Sequence, residues 1–336
     1  MEDVLTLKIK ELVNTIPVLS SFLLYTVSEK EKSTRYSYGE ELKLFFLYLI
    51  SYNPLFCDKE LNEITNDDLS LIKAEDISLY LSLLLDNGLK DKTVARKRAS
   101  ISSFFTFMCN NKKIKTNPVS MSTKVKIHTS DDVIHLTIPE QLKFLNDVFS
   151  GENLDKKKKA YHEKYALRDK AIIIMLLDTG LRNSELRGIN ISDVNFTECS
   201  VFIKRKGGSF QTIYFSDETK KVILEYLSYR KNKQKRVQNE EPLFTTLKGD
   251  RLSSSTLEKL IKKYALSSFP GKGKLITPHK MRSSSAMSYY AKTKDILALQ
   301  RKLGHKNIQT TNIYAKATNE EMKANRNIFN DLFNKK

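Results

Sequence analysis

Cysteine is scarce and scattered. Cys57, Cys109 and Cys199 are three in number and far apart. They offer no disulfide framework and no zinc-ligand spacing, and a reducing compartment is expected. Long apolar runs are also missing. The longest, such as 171–177, fall well short of the roughly 20 residues that cross a bilayer. The opening residues, MEDVLTLKIKELV, begin with acids and lack a basic segment ahead of an apolar run, which is not the pattern of a secretory signal. No internal repeat, low-complexity tract, Walker-type glycine loop or carboxylate cluster of the two-metal kind is present. The expectation is a soluble cytoplasmic protein with no membrane contact and no metal site.

What the chain has in abundance is positive charge. Lysine and arginine number 57 against 39 acids, for a formal net charge of +18 over 336 residues. The length is typical of two domains, and 40% hydrophobic residues suffice for packed cores. Such an excess can serve solubility alone. The basic residues recur along the whole chain instead of forming one tail, so a polyanionic partner, nucleic acid above all, fits better.

Helical spacing dominates the first third. Residues 4–28 read as a helix, a break at Pro17 and a second short helix, an N-terminal extension over 1–29. Helices follow over 33–51, with Tyr36, Leu42, Phe45, Phe46, Leu49 and Ile50 inward, then over 74–86 and 91–110. The last carries Lys92, Arg96, Lys97 and Arg98 near its start, either a solvated face or a surface for phosphates. Residues 30–118 thus form a compact helical unit. The stretch 111–131 has five lysines and no apolar period, so an extended basic linker is placed at 119–137.

A second unit spans 138–317. It starts on a Thr137–Glu140 helix signal. Residues 151–165 carry four consecutive lysines and read as a polar loop, with Lys156 and Lys157 as DNA-contact candidates. An apolar helix over 166–179 comes next, then a short one capped by Asn183-Ser184. Two strands flank a Lys-Gly-Gly turn in 200–215. Helices are expected at 217–230, 253–266, 279–291, 294–303 and 307–316, with a charged loop at 231–240. Residues 318–336 hold an amphipathic end helix.

Chemistry-bearing residues cluster in the second unit. The segments TGLRNSEL, TPHKMR and LGHKNIQTTNIY supply Arg182, His279, Arg282, His305 and Tyr314. A phenol titrates near 10, so a nucleophilic tyrosine needs a base or a cationic pocket. Arginines suit the charge that grows on a phosphodiester under attack, and a lysine can protonate the expelled oxygen. Each residue also has a plainer role. Arg182 could pair with Glu185, His279 could cap its helix, and His305 could be a satisfied turn histidine.

The ordered set TGLRNSEL, KGG after a strand, TPHKMR and LGHKN…TTNIY resembles the tyrosine recombinase (phage integrase) family over residues 138–320. The layout is most similar to Xer-type recombinases, particularly the single-recombinase branch. The resemblance implies a mainly α fold with a small β-sheet: an all-helical SAM-like core-binding domain and an α/β catalytic domain that close as a C-shaped clamp. It implies that Tyr314 forms a 3′-phosphotyrosyl bond while Arg182 and Arg282 hold the scissile phosphate. Lys206 would be the general acid, with Lys204 the less favoured alternative. His279 would be a general base, His305 a hydrogen-bond donor to the phosphate, and Glu185 an orienting group. No cofactor, ATP or metal is implied.

The implied partner is double-stranded DNA with an inverted-repeat site. A homotetramer would bridge two duplexes, from a free monomer or weak dimer, with helix 318–336 docking on a neighbour. The setting would be a prokaryotic nucleoid. Ser283 departs from the pattern, because many relatives carry a histidine there. Three other functions stay open: integrase or excisionase of a mobile element, a catalytically silent DNA-binding accessory factor, and a type IB topoisomerase, against which the short chain and motif spacing argue.

Overall fold

A computed structural model describes residues 4–25, 31–127, 134–205, 208–233, 241–305 and 307–314. The chain divides into two compact units, with the boundary between Ser130 and Asp131.

The first unit is helical: α1 (Val4–Thr15), α2 (Ser20–Tyr25), α3 (Lys32–Tyr52), α4 (Asn66–Leu71), α5 (Ala74–Asp86) and α6 (Asp91–Asn110). Its core joins Leu42, Phe45, Phe46 and Leu49 of α3 to Val94, Ile101, Phe104 and Phe105 of α6. Tyr36 and Ile50 pack only partly buried against it. Phe104 is the hub. Its ring lies 5.5 Å from that of Phe22, 6.1 Å from Phe46 and 5.4 Å from Phe105, in edge-on geometries that aromatic quadrupoles favour.

Three features of this unit differ from the sequence expectation. The N-terminal helices are no extension, because Ile9, Leu12, Ile16, Leu19, Phe22 and Leu23 belong to the same core. Helix α4 is short but well capped: Thr65 Oγ1 accepts from the Asp68 N–H, and Asp68 accepts from the Thr65 N–H. The expected extended linker at 119–137 starts instead with packed structure. A 3-10 turn spans Pro118–Met121, and Val119 is fully buried. The apolar residues here are too few and irregular to show a period, yet buried Val119, the Asn117 cap and Arg98 on the Val119 carbonyl pin the turn.

The second unit contains α7 (Ile138–Ser150), α8 (Lys156–Thr179), α9 (Asn183–Gly188), β1 (Val194–Asn195), β2 (Ser200–Lys204) and β3 (Phe210–Tyr214). It continues with α10 (Asp217–Lys233), α11 (Ser254–Ser268), α12 (Pro278–Thr293), α13 (Ile296–Leu303) and α14 (Gln309–Asn312). The strands form an antiparallel sheet in the order β1-β2-β3, with Ile203 opposite Gln211 and Lys204 opposite Phe210. Helix α8 is the spine. Its apolar stretch 171–177 is buried, and α7, α10 and α12 pack around it.

The polar loop expected at 151–165 is overturned: α8 begins at Lys156. Gly151 ends α7 in the left-handed region, at φ 67°, and an added Cβ there would meet the His162 ring at 2.5 Å. Asp155 then caps α8 by accepting from the Lys158 N–H at 2.9 Å. That carboxylate also offsets four lysines placed at the unfavourable, positive end of a helix dipole. The cap and the packing of the C-terminal half override the charge run. Helix α10 likewise extends to Lys233, into the expected charged loop.

Candidate active site

Helix α8 ends at Gly180, and the chain turns to start α9. The sequence suggests Asn183-Ser184 as the cap, but Arg182 occupies the N-cap position. The Arg182 N–H donates to Glu185 Oε2 at 2.8 Å. This local geometry fixes the carboxylate of Glu185 just where the α8–α9 turn faces α12 and the sheet.

Three guanidiniums gather on that carboxylate. Arg182 Nη1 lies 2.6 Å from Oε1, Arg205 Nη1 lies 2.9 Å from Oε2, and Arg282 Nη1 lies 3.8 Å from Oε2. The Glu185 side chain is 2% exposed. Burial alone would raise its pKa. The Arg182 N–H and the Arg205 and Arg182 guanidiniums outweigh that and hold it below the usual carboxylate value.

Arg282 comes from the first turns of α12, where Thr277 caps the helix and Pro278 occupies a position with no amide to satisfy. Its Nη1 donates to Gly180 O at 2.7 Å and its Nη2 to Leu303 O at 2.5 Å. Burial and the Arg182 guanidinium lower its pKa to about 10. His279, one turn earlier, keeps an exposed edge. Desolvation by the surrounding protein, then Lys280, Arg282 and Arg182, pull its pKa down. Ser283 turns its hydroxyl back to His279 O at 3.2 Å and stays buried. It presents no donor to the site.

The α13 turn completes the set. Its last carbonyls are taken one by one: Arg301 O by Gln211 Nε2 at 2.8 Å, Lys302 O by Arg205 Nη2 at 2.8 Å, and Leu303 O by Arg282. Gly304 follows at φ 62°, and a Cβ there would sit 2.7 Å from Arg205 Nε, so the turn requires glycine. His305 Nδ1 lies 2.9 Å from Thr311 Oγ1. Burial and the guanidiniums of Arg282, Arg182 and Arg205 depress the His305 pKa to about 4. Its imidazole is neutral at pH 7.

Tyr314 sits just past α14, in a turn rather than within the expected helix, with its N–H on Thr311 O at 3.0 Å. Its ring is 4% exposed and packs with Ala286, Leu299 and Leu303. Tyr314 lies close enough to Arg282 to bear on that guanidinium's charge. Arg182, Glu185, His279, Arg282, His305 and Tyr314, spread over more than a hundred residues of chain, are therefore one electrostatic unit. Cations outnumber carboxylates in it, which makes it a site for an anion, with Tyr314 buried at its margin. Lys206 lies outside the described residues, as does the expected end helix at 318–336. Among the described residues, no group of three or more acidic, histidine or cysteine side chains is arranged to hold a metal.

Comparison with known proteins shows the family. Residues 149–321, just over half the chain, match the phage integrase family. The chain belongs to the phage integrase family of tyrosine recombinases.

A tyrosine recombinase XerC of Caldanaerobacter subterraneus subsp. tengcongensis is 30% identical over 91% of this chain and 85% of its own length. A XerS of Streptococcus agalactiae is 26% identical over 87% and 88%. This is a Xer-like tyrosine recombinase, an enzyme that transfers DNA strands. The fold matches the XerH recombinase bound to a palindromic difH substrate, with TM-score 0.69 at 20% identity, over 97% of this chain and 93% of that one. It also matches the Tn1549 transposon integrase bound to a circular intermediate, with TM-score 0.69 at 18% identity, over 93% and 98%.

Other residues of the recombinase singled out from sequence lie apart from this cluster. Lys156 and Lys157 are exposed on the first turn of α8, and Lys92 is exposed on α6. Arg96 is 55% exposed and pairs with buried Glu41 at 2.5 Å. Lys97 is buried, at 8% exposure. Arg98 spends its guanidinium on the chain that follows the unit, donating to Val119 O at 2.7 Å and to Ser122 O and Thr123 O. Of the four bases grouped on α6, Arg98 thus serves the fold and Lys97 is withdrawn, whereas Lys92 and Arg96 reach solvent.

Arg205 is the residue that sequence reasoning missed. The signal was present. Along β2, Val201 and Ile203 face inward while Phe202 and Lys204 face outward, so period-two alternation puts Arg205 on the inner side. Nothing local says what an inward arginine would meet there.

Proposed function

We propose that this recombinase cuts and rejoins duplex DNA through Tyr314. The observation that supports it is the convergence of Arg182, Arg205 and Arg282 on one carboxylate, with His305 and Tyr314 inside the same field. A phosphodiester entering this site meets a net positive charge held rigidly by buried bonds, the arrangement that stabilises extra charge on phosphoryl oxygens. Arg282 Nη1 and Nη2 each carry a second N–H beyond those given to Gly180 and Leu303. Arg182 is 30% exposed and keeps donors for a ligand.

In this reading Tyr314 loses its proton, with His279 as the base, and its oxygen bonds to phosphorus. The 5′-oxygen leaves and takes a proton from Lys206, giving a 3′-phosphotyrosyl link and a free 5′-hydroxyl. Attack by a 5′-hydroxyl of another strand reverses the steps and exchanges strands through a Holliday junction. One ester bond is traded for another, so no ATP is consumed. His305 donates to the phosphate, and Glu185 holds the arginines in register. Tyr314 is covered in the free protein, so α14 and the turn after it must shift for the hydroxyl to reach DNA.

The two units would close around the duplex, with Lys92, Arg96, Lys156 and Lys157 on its backbone. The XerC and XerS relatives favour Xer-type recombination, such as chromosome dimer resolution at an inverted-repeat site, by four protomers on two duplexes linked through helix 318–336. A nicked suicide substrate tests the chemistry. The native chain should form a covalent protein–DNA adduct, and Tyr314→Phe should bind the same DNA and form none. DNA binding by the native chain without any adduct would refute the reading and favour an accessory DNA-binding role.

A further inference from the structure

His305 is held through both polar groups of its backbone, and its ring hangs on one side chain. Its N–H donates to Gln300 O at 3.2 Å, and its carbonyl accepts from Gln300 Nε2 at 3.0 Å. The ring is fixed through Nδ1, which lies 2.9 Å from Thr311 Oγ1. Thr311 is fully buried in α14, and its carbonyl accepts the Tyr314 N–H at 3.0 Å. One residue thus touches both the histidine read as a phosphate donor and the turn that carries the tyrosine.

The bond between the ring and the hydroxyl can run in two directions. If Nδ1 carries the proton, it donates to Thr311, and a neutral ring has only a lone pair on Nε2. If Thr311 donates, Nδ1 accepts and the ring proton sits on Nε2. The buried hydroxyl decides between them. Among the described residues, Nδ1 is the one acceptor within hydrogen-bonding distance of Thr311 Oγ1. A proton on Nδ1 would leave the hydroxyl's own proton buried without a partner, which native structures avoid. The bond therefore runs from Thr311 to His305.

We propose that Thr311 is a positioning residue for strand cleavage: by donating to Nδ1 it fixes the ring of His305 and its tautomer, so that a neutral imidazole offers the phosphate an N–H and not a lone pair. This rests on the reading of His305 as a phosphate donor. The ring stands in the field of Arg282, Arg182 and Arg205, where an anion would sit. A lone pair turned toward that anion would repel it. The tautomer thus decides whether His305 helps or hinders the reaction.

The first test needs no variant of Thr311, so it holds even if such variants fail to fold. The full chain, with its five histidines labelled with heavy nitrogen, is measured by proton–nitrogen correlation across the rings at neutral pH. His305→Ala identifies the His305 signals. The native protein should carry the His305 proton on Nε2. A proton on Nδ1 would overturn the proposal.

The second test uses Thr311→Val, which keeps the shape and removes the donor, and Thr311→Ser, which restores it. The valine variant should lose the native ring pattern. It should cleave a nicked suicide substrate about 10-fold more slowly or worse, the worth of one well-placed hydrogen bond to a charged group. Half-site binding should change by less than about threefold, because the hydroxyl faces protein. The serine variant should recover the native pattern and most of the rate. A valine variant with native ring pattern or native cleavage would refute the proposal, and so would a serine variant as slow as valine, which would mean that Thr311 acts by packing alone. If His305→Ala cleaves at the native rate, His305 does not serve the phosphate, and the reading beneath the proposal falls first.

Discussion

Replacing Glu185 by glutamine removes one negative charge from beneath three guanidiniums while keeping the side chain's shape. The carboxylate is 2% exposed and lies within 2.9 Å of both Arg182 and Arg205. Removing one partner of a buried ion pair costs about 3–5 kcal/mol, because the other charge stays buried without compensation. Arg205, itself 5% exposed on its side chain, is that other charge. For a unit the size of the second one, each kcal/mol moves the melting temperature by about 2–4 °C, so Glu185→Gln should lower it by about 6–20 °C.

The chain has no tryptophan, so scanning calorimetry, which can separate the transitions of the two units, is the suitable assay. The first unit's transition should not move. The pH dependence has a definite sign. The folded pKa of Glu185 lies below its unfolded value, so its contribution is full above the unfolded value of about 4.3 and fades as pH falls through the folded one. The native and glutamine proteins should therefore differ most at neutral pH and converge in acid. A melting temperature for Glu185→Gln within about 2 °C of native at pH 7 would show that the carboxylate does not hold the arginines together.

His305 has a folded pKa of about 4, below the unfolded value near 6.5. As pH drops between those values the unfolded chain takes up a proton and the folded one does not, so the second unit should lose stability there, and His305→Gln should flatten that slope in calorimetric melts. A bound phosphodiester offsets the guanidinium charge and lifts the same pKa, so DNA binding near pH 5.5 should take up a proton, read as a dependence of binding enthalpy on buffer ionisation heat. In the first unit, Phe104→Ala removes the ring shared by Phe22, Phe46 and Phe105, and denaturant unfolding should show a loss of about 3–5 kcal/mol. A cost under about 1 kcal/mol would mean that the cluster repacks freely.

Helix boundaries were readable wherever the signal is local. Helix α5 spans Ala74–Asp86 and α6 spans Asp91–Asn110, as the apolar period indicates, because period and terminal polar residues act within a few positions. The Thr137–Glu140 signal folds as a capping box. The misreadings have one cause, which is that partners lay elsewhere in the chain. The lysines at 156–159 looked like loop, yet they open a helix whose other end is clamped in the core. Arg98 looked like a nucleic-acid contact, and its carbonyl partners sit more than 20 residues onward.

The site divides in the same way. Residue types made Arg182, His279, Arg282, His305 and Tyr314 candidates, since a phosphoryl site suits permanent planar cations and a tyrosine can be a nucleophile, and the resemblance of the ordered motifs to a known family singled them out. Tertiary structure decided how they are held. Glu185 receives Arg205 from 20 residues away, and Arg282 reaches back 102 residues to Gly180 O. It also decided that Tyr314 is sheathed in a small apolar cluster in the free protein. A charged side chain's chemistry is a property of its residue type, but its position and proton affinity depend on what the fold places within a few ångströms, and no local pattern specifies that.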